Sequence, residues 1–208
     1  AVAAGAVALL VERPLPLDVP QIVTGDSRRA TAALAAAFHD HPSRSMHVVG
    51  ITGTNGKTTT TALLTSVLRH AGHVTGMIGT LTGRHTTPEA PELQAQLAAF
   101  RDSGTSCVVM EVSSNALELH RVDGCRFEIS VFTNLGRDHL DLHGTIERYF
   151  AAKASLFTAE RSERGLSNCD DPHGRLLADG AAIVMNCFGA SDLSDVVVTP
   201  TSHEYTWR

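Results

Sequence analysis

The chain has 208 residues, a formal net charge of −5 with histidine neutral, and 43% hydrophobic but only 5% aromatic residues. Its basic residues are scattered, which argues against a broad nucleic-acid surface, so a small anionic ligand needs a local site. An interior built mainly from Ala, Val, Leu and Ile is typical of helices packed on a parallel sheet.

Short apolar runs alternate with helical patterns along the chain. Strands are predicted at 7–11, 21–24, 46–51, 74–78, 107–112, 129–133 and 182–188, and HEYTWR at the end is predicted to be one strand of a hairpin. Helices are predicted at 27–39, 58–71, 89–103, 145–157 and 171–178. Strands separated by helices of this length form βαβ units, so the sequence predicts an α/β fold with a mostly parallel sheet and helices on both faces.

Two domains are predicted. Residues 1–41 are expected to be the end of a smaller α/β domain, and the polar segment HDHPSRS at 39–45 to be a linker, since it contains Pro42. Residues 46–208 are expected to be most of a larger domain in a longer protein. The apolar start AVAAGAVALLVER has no basic leader and no 18-residue apolar run, so we expect a cytoplasmic protein without membrane insertion.

The four cysteines, Cys107, Cys125, Cys169 and Cys187, are too far apart for a CxxC metal or redox motif. Three of them fall in strand-like segments. We therefore expect all four to be reduced thiols in the core, as in most cytosolic proteins.

A glycine-rich segment follows the predicted strand at 46–51 and precedes a helical pattern: TGTNGKTTTT at 52–61. Backbone N–H groups of such a turn surround phosphate oxygens, and the positive end of the helix dipole faces them. Lys57 is expected to reach the β- and γ-phosphates, and Thr58 to offer its hydroxyl to Mg²⁺. The general P-loop pattern has glycine where Ile51 stands, and at this point a P-loop switch or motor protein remains an alternative.

Two polar segments follow other strands. MEVSSNAL comes after the apolar run CVVM, which places Glu111 and Ser113 at the carboxyl end of the sheet, where ligands bind in open α/β folds. Glu111 is expected to complete a Mg²⁺ site, or else to cap a helix. TTPE at 86–89 has the composition of a helix start, with Thr87 as the N-cap and Pro88 as the first helical residue.

These segments resemble the Mur ligases of the MurE type. The phosphate loop GITGTNGKTTT shares the family's departure at Ile51, and TTPEAPELQ and EVSSNAL resemble the family's substrate segments. The most diagnostic stretch is FTNLGRDHLDLHGTIERYFAAKASLF at 132–157. The chain departs from the family pattern at Asn115, Leu119 and Gly136, where the family has His, Gln and Ser.

The resemblance implies that residues 1–41 are the C-terminal part of the family's UDP-substrate-binding domain and residues 46–208 most of its central ATP-binding domain. It also implies a role for each residue that matches a family motif. It assigns ATP binding to Gly53, Thr54, Asn55, Gly56, Lys57, Thr58 and Thr59. It assigns contacts with the muramoyl peptide to Thr86, Thr87, Ser113 and Arg121. It assigns one Mg²⁺ to Thr58 and Glu111, and a second to His139 and a carbamylated Lys153; Asn134 and Asp138 lie in the same loop as His139.

The function that the resemblance implies is ATP-dependent ligation. Such an enzyme adds meso-diaminopimelate or L-lysine to UDP-N-acetylmuramoyl-L-alanyl-D-glutamate through an acyl phosphate, in peptidoglycan synthesis, and is expected to be a monomer. Two alternatives differ in class. A P-loop switch protein gives no reason for the DHLD and AK motifs, whereas a truncated or degenerate nucleotide-binding relative without ligase activity is favoured by Asn115 and Leu119.

Overall fold

The computed structural model describes residues 1–138, 140–198 and 203–207. In chain order the strands are β1 (Leu9–Val11), β2 (Gln21–Val23), β3 (His47–Thr52), β4 (Thr75–Ile78), β5 (Cys107–Glu111), β6 (Phe127–Phe132), β7 (Ser162–Asn168), β8 (Val184–Phe188), β9 (Leu193–Val198) and β10 (His203–Trp207). The α-helices are α1 (Ser27–Phe38), α2 (Lys57–His70), α3 (Ala90–Asp102), α4 (Ser114–Glu118), α5 (Leu140–His143), α6 (Ile146–Ala154) and α7 (Pro172–Gly180).

The central sheet is parallel throughout. Within the described ranges it has six strands in the order β4-β5-β3-β6-β7-β8, and helices cover both of its faces. This confirms the α/β prediction, and the predicted strands and helices are present with ends that shift by one to three residues. Strands β9 and β10 pair in an antiparallel hairpin, as predicted. Among these described helices, none is long and apolar enough to cross a membrane.

Successive side chains of the buried strands point to opposite faces of the sheet, so the hydrophobic core has one part on each face. On one face Val48, Val108 and Met110 pack with α3, α6 and α7. On the other face Ile51 and Val109 pack with the partly buried side of α2. Because a strand with both faces covered has no solvent side, β5 is buried at every position.

The first 45 residues contact the central sheet through α1 and a short connection. Strands β1 and β2 form a separate parallel pair, and α1 packs on α3. The segment predicted to be a linker contains a 3₁₀ helix, Pro42–Ser45, in which Pro42 and Ser43 are buried. The Ser43 hydroxyl accepts a hydrogen bond from the backbone N–H of Arg126 at 3.0 Å, so the connection is anchored to the central sheet.

Strand β7 was not predicted from the sequence. Its residues, SERGLSN, include one large apolar side chain, and its buried positions are the small residues Ser162, Gly165 and Ser167. The hydroxyl of Ser162 donates to the carbonyl of Leu156 at 2.7 Å and lies 2.6 Å from the Ser130 hydroxyl on β6. The strand is therefore buried through small residues whose hydroxyls are hydrogen-bonded, and not through apolar side chains. Neither property produces a hydropathy signal in the sequence.

The expectation of four reduced cysteines is wrong for one pair. Cys169 and Cys187 form a disulfide, with a Cα–Cα distance of 5.5 Å. They are 18 residues apart in sequence, but Cys187 lies in β8 and Cys169 directly follows β7, the strand that pairs with β8. Cys107 and Cys125 are free and buried, as expected, and burial raises the pKa of the Cys125 thiol to about 12.

We predict that Gly124→Ala destabilises the fold, because this glycine, in the segment between α4 and β6, packs closely against α1 and α3. An added Cβ would lie 2.7 Å from Ala36 Cβ and 2.9 Å from the Ala32 carbonyl oxygen, and neither atom belongs to a flexible side chain. Overpacking of this kind costs about 1–3 kcal/mol in the free energy of unfolding, measurable by urea denaturation.

Gly180→Ala is the matched control, because no atom lies within 4 Å of its added Cβ and it ends helix α7. We expect this variant to gain about 0.5–1 kcal/mol, since alanine restricts the unfolded chain and suits a helix. Equal stabilities of the two variants would contradict close packing at Gly124.

Candidate functional site

The predicted phosphate loop lies between β3 and α2, at the carboxyl edge of the sheet. Gly53 and Gly56 have φ values of 148° and 85°, which L-residues with a side chain rarely adopt. A Cβ on Gly53 would also overlap the Thr133 hydroxyl. Helix α2 begins at Lys57, so its free N–H groups and positive dipole end face the loop.

The loop that follows β6 holds the phosphate loop in place. The backbone N–H of Thr54 donates to the Asn134 carbonyl at 2.9 Å, and that of Asn55 donates to the Asn134 side chain at 3.0 Å. The Thr133 hydroxyl donates to the Asn55 carbonyl at 2.7 Å. Asn55, Gly56 and Thr59 remain exposed, so the outer side of the phosphate loop is accessible.

The chain has two lysines, and both ammonium groups bind the same carbonyl oxygen. Lys57 Nζ and Lys153 Nζ each donate to the Gly53 carbonyl at 2.8 Å, and Lys57 also donates to the Thr54 carbonyl at 2.9 Å. Lys153 is 1% exposed, and its Nζ lies 4.4 Å from the centre of the Tyr149 ring. A solvent-facing position for Lys153 is therefore excluded.

Burial is the main reason why both lysines are less basic than usual. It lowers the pKa of Lys57, against opposing effects of Glu111 and Asp138. Burial and the nearby Lys57 charge lower the pKa of Lys153 to about 7, although Asp138 opposes the shift. A substantial fraction of Lys153 is consequently a neutral, nucleophilic amine near neutral pH.

Glu111 ends β5 and is 1% exposed, so its carboxylate depends on hydrogen bonds. It accepts from the Thr58 hydroxyl at 2.8 Å and from the Thr80 backbone N–H at 2.8 Å. Glu111 does not cap a helix, since the N-cap of α4 is Ser113. Thr80 was not recognised in the sequence; its position directly after β4, at the same sheet edge, is the signal that identifies it.

The predicted substrate residues form a second hydrogen-bonded group. The Thr87 hydroxyl donates to the Glu111 carbonyl at 2.9 Å and accepts from the Ser113 N–H at 3.1 Å. Arg121 donates to the Thr87 carbonyl at 3.1 Å and pairs with Glu89 at 2.6 Å. The prediction that Thr87 caps a helix is wrong: Glu89 is the N-cap of α3, and the Thr87 hydroxyl is bonded to the segment after β5 instead.

A cavity of about 300 Å³ brings the phosphate loop and the substrate residues together. Its lining consists of Lys57, His85, Thr86, Thr87, Ser113, Ser114, Asn115, Arg121 and Leu142. Asn115, which differs from the family pattern, is therefore at this cavity. Leu119, the other difference, lines a separate cavity of about 280 Å³ beside Arg28 and Glu89.

Two further observations concern the predicted site. His139 lies outside the described residues, whereas Asp138 is described and influences both lysines. A larger cleft of about 790 Å³ lies at the opposite, amino edge of the sheet, near Met46, Ser106 and Arg126. It contains no predicted site residue, so the carboxyl edge is the candidate site.

Comparison with known proteins identifies the family. Residues 51–199 match the model of the Mur ligase middle domain. The UDP-N-acetylmuramoyl-L-alanyl-D-glutamate–2,6-diaminopimelate ligase of Geobacillus kaustophilus is 43% identical over 213 residues, which are 95% of this chain and 44% of that protein. The ligase of the same name from Thermosynechococcus vestitus is 49% identical over 191 residues, covering 86% of this chain and 38% of the relative.

A solved structure of a ligase with this name has a TM-score of 0.86 and 28% identity, covering 98% of this chain and 46% of that one. The chain thus spans less than half the length of the relatives that it matches. Since the family model matches well over half of its residues, the chain belongs to the Mur ligase family, with residues 51–199 corresponding to the middle domain.

Proposed function

We propose that this chain is the ATP-binding core of a ligase that adds an amino acid to UDP-N-acetylmuramoyl-L-alanyl-D-glutamate in peptidoglycan synthesis. One observation carries the proposal: Lys57, Thr58 and Glu111 meet at one sheet edge, beside a cavity lined by the predicted substrate residues. The added amino acid is meso-diaminopimelate or L-lysine, and the names of the two relatives favour diaminopimelate.

ATP binds to residues 53–59 in this proposal. The backbone N–H groups of the loop and the start of α2 surround the phosphates, and Lys57 supplies a positive charge. Lys57 Nζ bonds the Gly53 and Thr54 carbonyls, so it turns away from them to reach the β- and γ-phosphates.

Two Mg²⁺ ions are proposed with ATP. The hydroxyl of Thr58 and the carboxylate of Glu111 lie 2.8 Å apart, and such hard oxygen donors suit the first ion. Lys153, as a carbamate, and His139 are proposed for the second ion. Magnesium supplies positive charge that offsets the negative charges of the phosphates and the substrate carboxylate.

The proposed reaction brings two anions together, the substrate carboxylate and the γ-phosphate of ATP. Arg121, Thr86, Thr87 and Ser113 orient the muramoyl peptide so that its carboxylate oxygen attacks the γ-phosphorus, and ADP leaves. The amine of the amino acid then attacks the acyl phosphate, phosphate leaves, and an amide forms. Positioning and positive charge are the two contributions of this chain.

A second candidate is a relative that binds nucleotide without ligating. Asn115 favours it, because this residue lines the cavity at a position where the family pattern has histidine. ATP binding without amide formation in the intact enzyme distinguishes this candidate from the ligase.

We further propose two domains, 1–41 and 46–208, in a monomeric cytoplasmic enzyme. The separate β1–β2 pair and the match of residues 51–199 to one family domain support this division. The amino acid is expected to bind in a part of the relatives that this chain does not match.

We predict that Lys57→Ala lowers the ligation rate of the intact enzyme that carries this chain by about 10²- to 10³-fold, because a charge is lost from the transition state. Steady-state kinetics measures the change. Arg148→Ala removes the same charge from an exposed site on α6 and is expected to be neutral. Near-normal turnover by Lys57→Ala would exclude a catalytic phosphate loop.

The 208-residue chain alone is predicted to show no amide-forming turnover. Its curated relatives are more than twice as long, and the amine site is expected in their remaining part. ATP binding survives weakly, measurable by isothermal titration. Ligation of diaminopimelate or lysine by the isolated chain, followed as phosphate release, would refute this prediction.

Lys153 is predicted to be carbamylated. A neutral amine adds CO₂ and releases a proton, and the Lys153 pKa of about 7 makes that amine abundant above about pH 7. At fixed dissolved ¹³CO₂, the carbamate carbon signal should grow between about pH 6 and pH 8, whereas an ordinary lysine requires about pH 10.

Carbon NMR of the chain provides the measurement. One signal should be absent from Lys153→Ala and present in Lys57→Ala, where it should grow at higher pH because the Lys57 charge no longer lowers the Lys153 pKa. The α-amino group of Ala1 gives a separate carbamate signal in both variants. The same set of carbamate signals in Lys153→Ala as in the parent chain, together with full activity of that variant in the intact enzyme, would rule out a functional carbamate.

A further inference from the structure

His143 is a buried polar residue that the proposed reaction does not use. It ends α5, and its side chain is fully buried. Ring atom Nε2 lies 3.0 Å from the Ser114 hydroxyl, and Nδ1 lies 2.9 Å from a Glu118 carboxylate oxygen. Nδ1 makes no hydrogen bond within the described residues, so this second contact is mainly electrostatic.

The three residues connect the parts of the candidate site. Ser114 and Glu118 are four residues apart on α4, so both can reach the same ring. The ring of His143 also packs on Tyr149, with centroids 5.0 Å apart, and the Tyr149 hydroxyl lies 3.1 Å from that of Thr54. His143 thus contacts the helix that lines the cavity and a side chain that contacts the phosphate loop.

When the imidazole is neutral, the charge of Glu118 influences which ring nitrogen carries the proton. A carboxylate beside Nδ1 favours the tautomer with the proton on Nδ1. Nε2 then has a free lone pair and accepts a hydrogen bond from the Ser114 hydroxyl. The Ser114 hydroxyl therefore donates its one hydrogen bond to His143, and its oxygen can still accept a hydrogen bond.

A hydrogen-bond acceptor at Ser114 would complement the other polar groups that line the cavity. Lys57 and Arg121 are donors suited to carboxylates and phosphates. The hydroxyls of Thr87 and Ser113 already accept from backbone N–H groups. Within the part of the chain that the structure describes, Ser114 Oγ has no hydrogen-bond partner except His143, although Ser114 lines the cavity.

We infer that His143 is a positioning residue that holds the Ser114 hydroxyl as a hydrogen-bond acceptor for an amide N–H of the bound substrate. The substrate class rests on the proposed function, in which the ligand carries peptide N–H groups as well as carboxylates. Ser114 contacts the substrate directly, and His143 acts through it.

The first test uses the 208-residue chain and does not depend on ligase activity. With ¹⁵N-labelled histidine, long-range ¹H–¹⁵N correlations at about pH 8 distinguish the two neutral tautomers. The signals that disappear in His143→Phe belong to His143. We expect the proton on Nδ1; a proton on Nε2 would overturn the inference.

The second test measures KM for UDP-N-acetylmuramoyl-L-alanyl-D-glutamate in the intact enzyme. Ser114→Ala and His143→Phe should each raise this KM about 3- to 10-fold, the effect of one lost neutral hydrogen bond, with KM for ATP unchanged. The double variant should be no worse than either single variant, because both remove the same contact. His143→Gln should restore KM to within about 2-fold, since its amide oxygen can accept from Ser114.

His173→Phe is the matched control. His173 also packs on an aromatic ring, Phe150, and lies near a carboxylate, Asp171, but it is outside the cavity lining. Unchanged KM in Ser114→Ala, or an equal rise in both KM values, would overturn the inference. Ser114→Ala decides the question even if His143→Phe does not fold, because it keeps the imidazole.

The two proposals fail differently. A parent enzyme that does not ligate this substrate contradicts the proposed function, and the tautomer measurement still decides the orientation of Ser114. An active parent with unchanged KM in both variants contradicts only the role of Ser114 and His143.

Discussion

The candidate site depends on the convergence of two ammonium groups on the carbonyl oxygen of Gly53. Lys57 approaches from the start of α2 and Lys153 from α6, so one backbone oxygen fixes the relative position of two helices. The arrangement is electrostatically costly, because two like charges are close together and partly removed from water. Burial lowers the pKa of both lysines, and the Lys57 charge further lowers that of Lys153. An anion near the two protonated amines would reduce this repulsion.

Glu111 places a negative charge at the same carboxyl edge of the sheet as the two lysines. The carboxylate ends the fully buried strand β5, and Thr58 and Thr80 satisfy it from α2 and from the segment after β4. A buried carboxylate without such donors would lose several kcal/mol of hydration. Glu111 therefore links three elements of the fold while presenting an oxygen near the phosphate loop. Stability and function depend here on the same hydrogen bonds.

The cavity is formed where the segments after β4, β5 and β6 meet the phosphate loop. Each of its sides is rigid for an identifiable reason: Thr87 is bonded to Glu111 and Ser113, and Asn134 is bonded to Thr54 and Asn55. His143 and Tyr149 fill the space between α4 and the phosphate loop. The side chains of Thr87 and Asn134 make their hydrogen bonds inside the protein and cannot rearrange cheaply, so these segments are preorganised.

Sequence alone determined what depends on local pattern. The alternation of apolar runs and helical patterns predicted the parallel sheet, and the GKT segment predicted the glycine-rich turn between β3 and α2, because turn chemistry acts over a few residues. Contacts between distant segments were decided by tertiary structure. The buried positions of strand β7 are small residues, which give no hydropathy signal. Cys169 meets Cys187 because β7 pairs with β8. The Thr87 hydroxyl donates to the Glu111 carbonyl instead of capping α3. Likewise, only packing brings both lysines to Gly53 and His143 to Ser114, since burial and proximity are properties of the folded chain and leave no periodic trace in its sequence.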